Sequence, residues 1–314
     1  MSRCRETAAN EPLAGTAPVR NVWLIIEQPG AWGEDALLES DLPEGFGAKL
    51  KETVTDPAIG VVLARRPATP SVERRATARR RLWLAHTAPG GVRMRSGSLD
   101  DVHDLLKWDW EAIRTGVLPP FGRRSADPAL FVCTNGKKDL CCAEAGRQLV
   151  GALRPDLELT GQVFESSHLT GHRFAPTALL LPWGYLFGRL DESGARAALN
   201  DAWNGQLPFE HLRGRSALAE WAQVAEIAVR EHAQVRSIDA LDVVVHRGER
   251  VVPWQMAEVV EGRVTAQVRH ADGRAWDVVL DSQDLAPRPL SCGAADQLSK
   301  FWRCASLSPA ANWR

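Results

Sequence analysis

At 314 residues, 45% of them hydrophobic and 25% charged, the chain has an ordinary globular composition and room for two or three domains. A net charge of −1 gives no global attraction to nucleic acid or an anionic membrane, and no run of eighteen apolar residues offers a membrane span. Six cysteines (Cys4, Cys133, Cys141, Cys142, Cys292, Cys304) are too few and too unevenly spread for a disulfide scaffold. The N-terminal MSRCRETAANEPLAG lacks the apolar stretch of a secretory signal, so the expected location is the cytoplasm. There, clustered thiols serve metal or redox work more often than structure.

Residues 1–19 read as a flexible N-terminus. VWLII (22–26) is a short apolar run followed by the turn signal PGAWG (29–33), and a helix is expected over 33–52 with Leu37, Leu38 and Leu42 on one side. Strands follow at 59–64, 81–86 and 92–96, and acids at 100 and 101 open another helix. The order then repeats. ALFVC (129–133) reads as a strand, LCCAEAGRQLVGAL (140–153) as a helix and ELTGQVFES (158–166) as a strand. TALLLPWGYLFGRL (177–190) reads as a hairpin around Pro182-Trp183-Gly184, and 194–205 as a helix. A long helix at 215–233 and strands at 241–247, 256–262, 263–271 and 275–281 suggest a small antiparallel β module, with a weakly patterned tail from 291 to 314.

Each half reads strand-helix-strand, then strand-strand-helix, the order of thioredoxin-like domains. A parallel pair with a crossover helix, joined to an antiparallel hairpin, gives a mixed sheet covered by helices. Pro176, entering the hairpin, stands where such folds carry a cis proline, although proline is also tolerated as the first residue of a strand. The expected fold is α/β. It comprises a degenerate thioredoxin-like unit over 20–115, a second unit over 120–210 that keeps the site, a helix with a β module over 211–290, and the tail.

The chemistry-bearing residues are Cys133 and Cys142, then His168 and His172 twenty-six residues later. Cys133 ends a strand and Cys142 lies in the first turn of the next helix, where the helix end favours a thiolate. Cys141 competes with Cys142. Adjacent helical residues point about 100° apart, so one faces the site and the other packs inward as a small hydrophobe. His168 and His172 flank Leu169-Thr170-Gly171, where Gly171 allows a close backbone approach. Two Cys and two His suit tetrahedral zinc or a [2Fe–2S] cluster with Cys on one iron and His on the other. The spacing fits neither the usual zinc-finger pattern nor a Rieske fingerprint.

The stretch Phe131-Val-Cys-Thr-Asn-Gly-Lys-Lys-Asp-Leu-Cys-Cys-Ala, then Glu165-Ser-Ser-His-Leu-Thr-Gly-His-Arg-Phe-Ala-Pro-Thr, then Leu181-Pro-Trp-Gly-Tyr-Leu-Phe-Gly-Arg-Leu-Asp191, resembles the sucrase/ferredoxin-like family. The Glu27–Gly33 turn and Arg213-Gly-Arg-Ser-Ala217 resemble it too. The resemblance implies a thioredoxin-like [2Fe–2S] ferredoxin, with Cys133 and Cys142 matching the thiolate ligands and His168 and His172 the imidazole ligands. Asn135, where many relatives carry His, is not expected to be a ligand. The implied function is a soluble electron carrier working with a redox partner protein, rather than an enzyme with its own substrate. The alternatives are a thiol-disulfide oxidoreductase, disfavoured because no Cys-x-x-Cys is present, and a zinc-stabilised structural or binding protein. An arginine run (Arg65, Arg66, Arg74, Arg75, Arg79, Arg80, Arg81) reads first as solvated surface and second as a docking patch for an acidic partner.

Overall fold

The computed structural model describes residues 3–67, 79–154, 161–248 and 250–310. A short helix α1 (Cys4–Thr7) precedes β1 (Val22–Glu27), followed by α2 (Ala36–Glu39), α3 (Phe46–Thr53), β2 (Ile59–Arg65), β3 (Arg80–His86) and β4 (Arg93–Leu99). Then come α4 (Trp110–Arg114), β5 (Arg123–Arg124), β6 (Ala129–Cys133), α5 (Arg147–Leu153), β7 (Val163–Ser166), β8 (Ala178–Leu181), β9 (Tyr185–Phe187), α6 (Glu192–Trp203) and β10 (Leu212–Arg215). The chain ends with α7 (Glu220–Ala233), β11 (Leu241–Arg247), β12 (Arg250–Pro253), β13 (Arg263–His270), β14 (Ala275–Pro289) and β15 (Asp296–Pro309).

The strands form a ten-stranded mixed sheet, β10-β9-β8-β6-β7-β2-β1-β3-β4-β5, and a five-stranded antiparallel sheet, β12-β11-β13-β14-β15. Pairing within the large sheet repeats. β1 and β2 are parallel, and β3 and β4 follow antiparallel on the far side of β1. Likewise β6 and β7 are parallel, and β8 and β9 follow antiparallel on the far side of β6. The halves meet where β2 pairs antiparallel with β7, Ala64 opposite Ser166.

Strand alternation splits the large sheet's side chains between two faces. Val22, Leu24 and Ile26 pack with Phe46, Leu50 and Trp110, and Leu130 and Val132 pack with Leu149, Val150 and Leu199. The opposite face joins both halves: Trp23, Ile25, Trp83, Phe131, Cys133, Phe164 and Leu179 form one cluster. At its centre the Phe131 and Phe164 rings stack at 5.2 Å, and Trp83 meets Phe164 edge-on at 4.8 Å. The smaller sheet packs Val243, Val268, Trp276 and Val278 against Trp221, Ala225 and Val229 of α7. No helix among the described residues is long and apolar enough to cross a membrane.

Several elements differ from expectation. The helix expected over 33–52 is two helices, because Pro43 and the left-handed Gly45 (φ 70°) interrupt it. The segment 256–262 is not a strand; β12 at Arg250–Pro253 takes the place beside β11. The long helix begins at Glu220 rather than 215, since Leu212–Arg215 pairs with β9 as the edge of the large sheet. The tail holds β15, which pairs along the length of β14. Its alternation is weak because much of this ribbon is solvated on both faces, so little apolar period reaches the sequence.

Candidate metal centre

Cys133 ends β6 in register with Ser166, the last residue of the parallel β7. Its N–H donates to the Thr177 carbonyl at 2.9 Å, at the entrance to β8. The loops after β6, after β7 and before β8 therefore leave one end of the sheet side by side. This convergence brings the two Cys and the two His together. The Ala175–Pro176 bond, in the third loop, is cis.

Cys142 opens a π-helical turn (Cys142–Gly146) that leads into α5. Such wide turns recur at functional sites because they reset side-chain directions within one turn. Here the turn lies against the end of β6. A Cβ at Gly146 would overlap the Cys133 carbonyl oxygen, with the carbonyl carbon only 3.1 Å away. Between the histidines, Thr170 (φ 63°) and Gly171 (φ 73°) are both left-handed, which folds the loop back on itself.

The His168 and His172 rings stack with centroids 4.1 Å apart and planes 11° from parallel. Cys142 Sγ lies 3.8 Å from His172 Nδ1. The Cys133 sulfur faces the Cys142 thiol and the His168 ring. Both cysteines are buried, at 0% and 1% exposure, while both histidines are half-buried. The Cys142 hydrogen bond, assisted by His168, holds Cys133 well below the ordinary thiol value despite burial. The same bond, with burial, pushes Cys142 up. Burial and His168 lower His172 to about 4, so its ring is a neutral donor at pH 7. His168 Nδ1 is buried and has no hydrogen-bond partner among the described residues.

The sucrase/ferredoxin-like family matches residues 13–214, 202 of the 314 residues. The chain belongs to that family. No curated protein and no solved structure matches it. The stretch matched to the sucrase/ferredoxin-like family runs from the N-terminal segment to Gly214 in β10, so it takes in the whole large sheet and leaves the smaller one outside.

The first half of this family member braces the site. Ser167 is fixed to β2 by two bonds, its N–H to the Leu63 carbonyl at 2.7 Å and the Leu63 N–H to its Oγ at 3.0 Å. Asn135 Nδ2 donates to the Gly33 carbonyl at 3.2 Å, which ties the cysteine loop to the 29–33 turn. Arg65 pairs with Glu165, which also accepts from Thr134 Oγ1 at 2.9 Å. Of the arginine run, Arg66 meets Glu27 at 3.6 Å, Arg79 meets Asp100 at 3.4 Å and Arg81 lies over the Trp83 ring. Arg74 and Arg75 lie outside the described residues.

Sequence reasoning quoted Arg213 and Asp139 within motifs but gave neither a role. Arg213, 1% exposed, donates from Nε to Thr16 Oγ1 and from Nη1 to the Thr170 carbonyl, each at 3.1 Å, and from Nη2 to the Thr16 carbonyl. It thus fixes the turn between the histidines. Burial lowers its value to about 9, while Cys142 and Cys133 favour its charge. A carboxylate oxygen of Asp139, Cys142 Sγ and a ring nitrogen of His172 lie within 4.8 Å of one another. Cys141 packs inward within the apolar cluster as expected, and its sulfur also meets two other thiols, 3.5 Å from Cys4 Sγ and 3.3 Å from Cys292 Sγ.

Proposed function

We propose that this chain is an electron carrier that holds a [2Fe–2S] cluster through Cys133, Cys142, His168 and His172 in its second, thioredoxin-like half. The observation that carries the reading is the His168 ring. Its Nδ1 is buried without a partner, stacked on His172 and beside two buried cysteines. An orphaned buried nitrogen costs roughly 1–3 kcal/mol, and a metal centre would satisfy it. When bound, such a cluster supplies one-electron chemistry, and imidazole in place of thiolate raises its potential above an all-Cys site.

The chain's own residues set the conditions. Burial of Cys133 and Cys142 excludes water from the thiolates. Arg213 places a buried positive charge near them, offsetting their negative charge. The histidines are half-buried, and a groove of about 440 Å³ lined by Glu34, Lys51, Lys138, Ser167 and His168 reaches the site. A redox partner would approach through that groove. The full burial of Cys133 and Cys142 argues against thiol-disulfide exchange, which needs an exposed sulfur.

One observation favours a second reading, a single zinc ion. The 3.8 Å from Cys142 Sγ to His172 Nδ1 is near the roughly 3.6 Å expected between S and N ligands of one tetrahedral ion. Exchanging His168 or His172 for Cys separates the two readings. A cluster should keep its colour while its reduction potential falls and loses pH dependence. An unchanged potential in both variants, or a colourless protein throughout, contradicts the carrier reading.

A further inference from the structure

Outside the four residues above, three more cysteines meet where the N-terminal segment and the bend between β14 and β15 reach the π turn. Cys4 begins α1, Cys141 precedes the π turn, and Cys292 lies in the bend between β14 and β15. Their sulfurs form a triangle with sides of 3.3 Å (Cys141–Cys292), 3.5 Å (Cys4–Cys141) and 3.6 Å (Cys292–Cys4). Asp139 closes the set, its carboxylate oxygens 3.8 and 3.9 Å from Cys4 Sγ. All four ligand atoms lie within 4.8 Å of one another. Cys4, Cys141 and Asp139 are buried and Cys292 is half-buried.

We propose that Cys4, Cys141, Cys292 and Asp139 form a second metal site, a tetrahedral three-sulfur, one-oxygen site for a thiophilic divalent cation such as zinc. The spacing supports it. With Zn–S near 2.3 Å and Zn–O near 2.1 Å, a tetrahedron places sulfurs about 3.75 Å apart and sulfur about 3.6 Å from oxygen. The observed 3.3–3.6 Å and 3.8–3.9 Å lie within a few tenths of an ångström of these values. The triangle is too tight for its sulfurs to sit on different irons of a multinuclear cluster, since ligands of separate metals lie further apart than those of one. A disulfide would use two of the sulfurs and leave the third facing the Asp139 carboxylate.

The carboxylate is already aimed. Asp139 Oδ1 accepts the Cys141 N–H and Oδ2 the Cys292 N–H, each at 2.8 Å, so two of the cysteine backbones are fixed about it before any ion arrives. Binding would convert three thiols to thiolates, release three protons, and leave a net charge of −2 on the centre. Its consequence is mechanical. One ion would tie residue 4 and residue 292 to the turn that presents Cys142, and so hold the N-terminal segment and the β14–β15 bend against the first site. Arg288 adds to the same closure, bonding the Thr7 carbonyl at 3.4 Å and lying 3.4 Å from Glu11.

The inference does not rest on the cluster reading, and its test keeps the two apart. The full-length chain, purified without oxygen, is incubated with equimolar zinc sulfate, gel-filtered and assayed for zinc. One equivalent should remain, falling at least tenfold in Cys4→Ser and Cys292→Ser but not in Cys304→Ser or Cys133→Ser. Cobalt(II) in place of zinc should give tetrahedral thiolate bands with the same dependence. Should the serine variants fail to fold, the wild-type protein still decides: zinc should shield Cys4, Cys141 and Cys292 from alkylation, read peptide by peptide, and a chelator should expose them. Zinc below a tenth of an equivalent, zinc lost in Cys133→Ser but kept in Cys4→Ser, absence of shielding, or a disulfide among the three sulfurs would each overturn the proposal.

Discussion

Replacing Arg213 with Met removes three hydrogen bonds to Thr16 and Thr170 while roughly keeping the volume. Bonds from a charged donor contribute about 1.5–3 kcal/mol each, so the gross loss is on the order of 5–9 kcal/mol. Against this stands the cost of the buried charge. A fall from 12.5 to about 9 means that folding disfavours the protonated guanidinium, by roughly 5 kcal/mol. The two nearly cancel, so the metal-free chain should lose only about 2 kcal/mol in a urea titration. The site should suffer more. Loading it would deprotonate Cys142 beside the already acidic Cys133, whose joint charge favours Arg213, and in the variant the Thr170 carbonyl that steadies the histidine turn loses its donor. Residues that support ligands in this way usually affect metal retention about 10–100-fold. Iron per chain after gel filtration should therefore drop far more than stability does. Wild-type iron retention in Arg213→Met would refute the reasoning, whatever its urea midpoint.

Two further expectations follow from the geometry. Gly146→Ala forces a methyl group into the Cys133 carbonyl, so the π turn must move away from β6; the cost should be about 1–3 kcal/mol with loss of iron, and a fully loaded variant of wild-type stability would contradict it. Burial holds His86 below its ordinary 6.5, outweighing the Gly91 carbonyl bond. The folded state thus keeps His86 neutral where the unfolded chain would protonate it, so its contribution is complete above pH 6.5 and is lost as pH falls from there toward the folded value. His86→Gln should flatten the acid-side decline in melting temperature, and an unchanged slope would remove His86 as its cause.

The convergence of the loops that carry the site residues was legible because it depends on strand ends. Cys133 and Ser166 finish neighbouring strands, and the apolar runs that mark β6, β7 and β8 are short, continuous and bounded by turn residues, so the meeting of their loops could be read from element order. Cys142 faces Cys133 and His172, and Cys141 packs inward as read, but the thiols that Cys141 meets there were not foreseen. Its partners, Cys4 and Cys292, lie 137 and 151 positions away, beyond the reach of any local period. Arg213 entered only as part of a family motif, without a role, because a buried arginine looks in sequence like any exposed one; its three backbone and hydroxyl partners reveal what it does. The small sheet was read short at its C-terminal end for a different reason. β14 has a buried alternating face only as far as Leu280, and β15 has no fully buried position, so beyond Leu280 the alternation that announces a strand is faint.

The proposed [2Fe–2S] cluster would be held by Cys133, Cys142, His168 and His172. The most direct measurement is iron and acid-labile sulfide per chain, with the electron-paramagnetic spectrum of the dithionite-reduced protein, after purification without oxygen. The expected result is two irons and two sulfides per chain with a spin-half signal that disappears in Cys133→Ser. A colourless chain without sulfide, carrying zinc on these four residues, would contradict it.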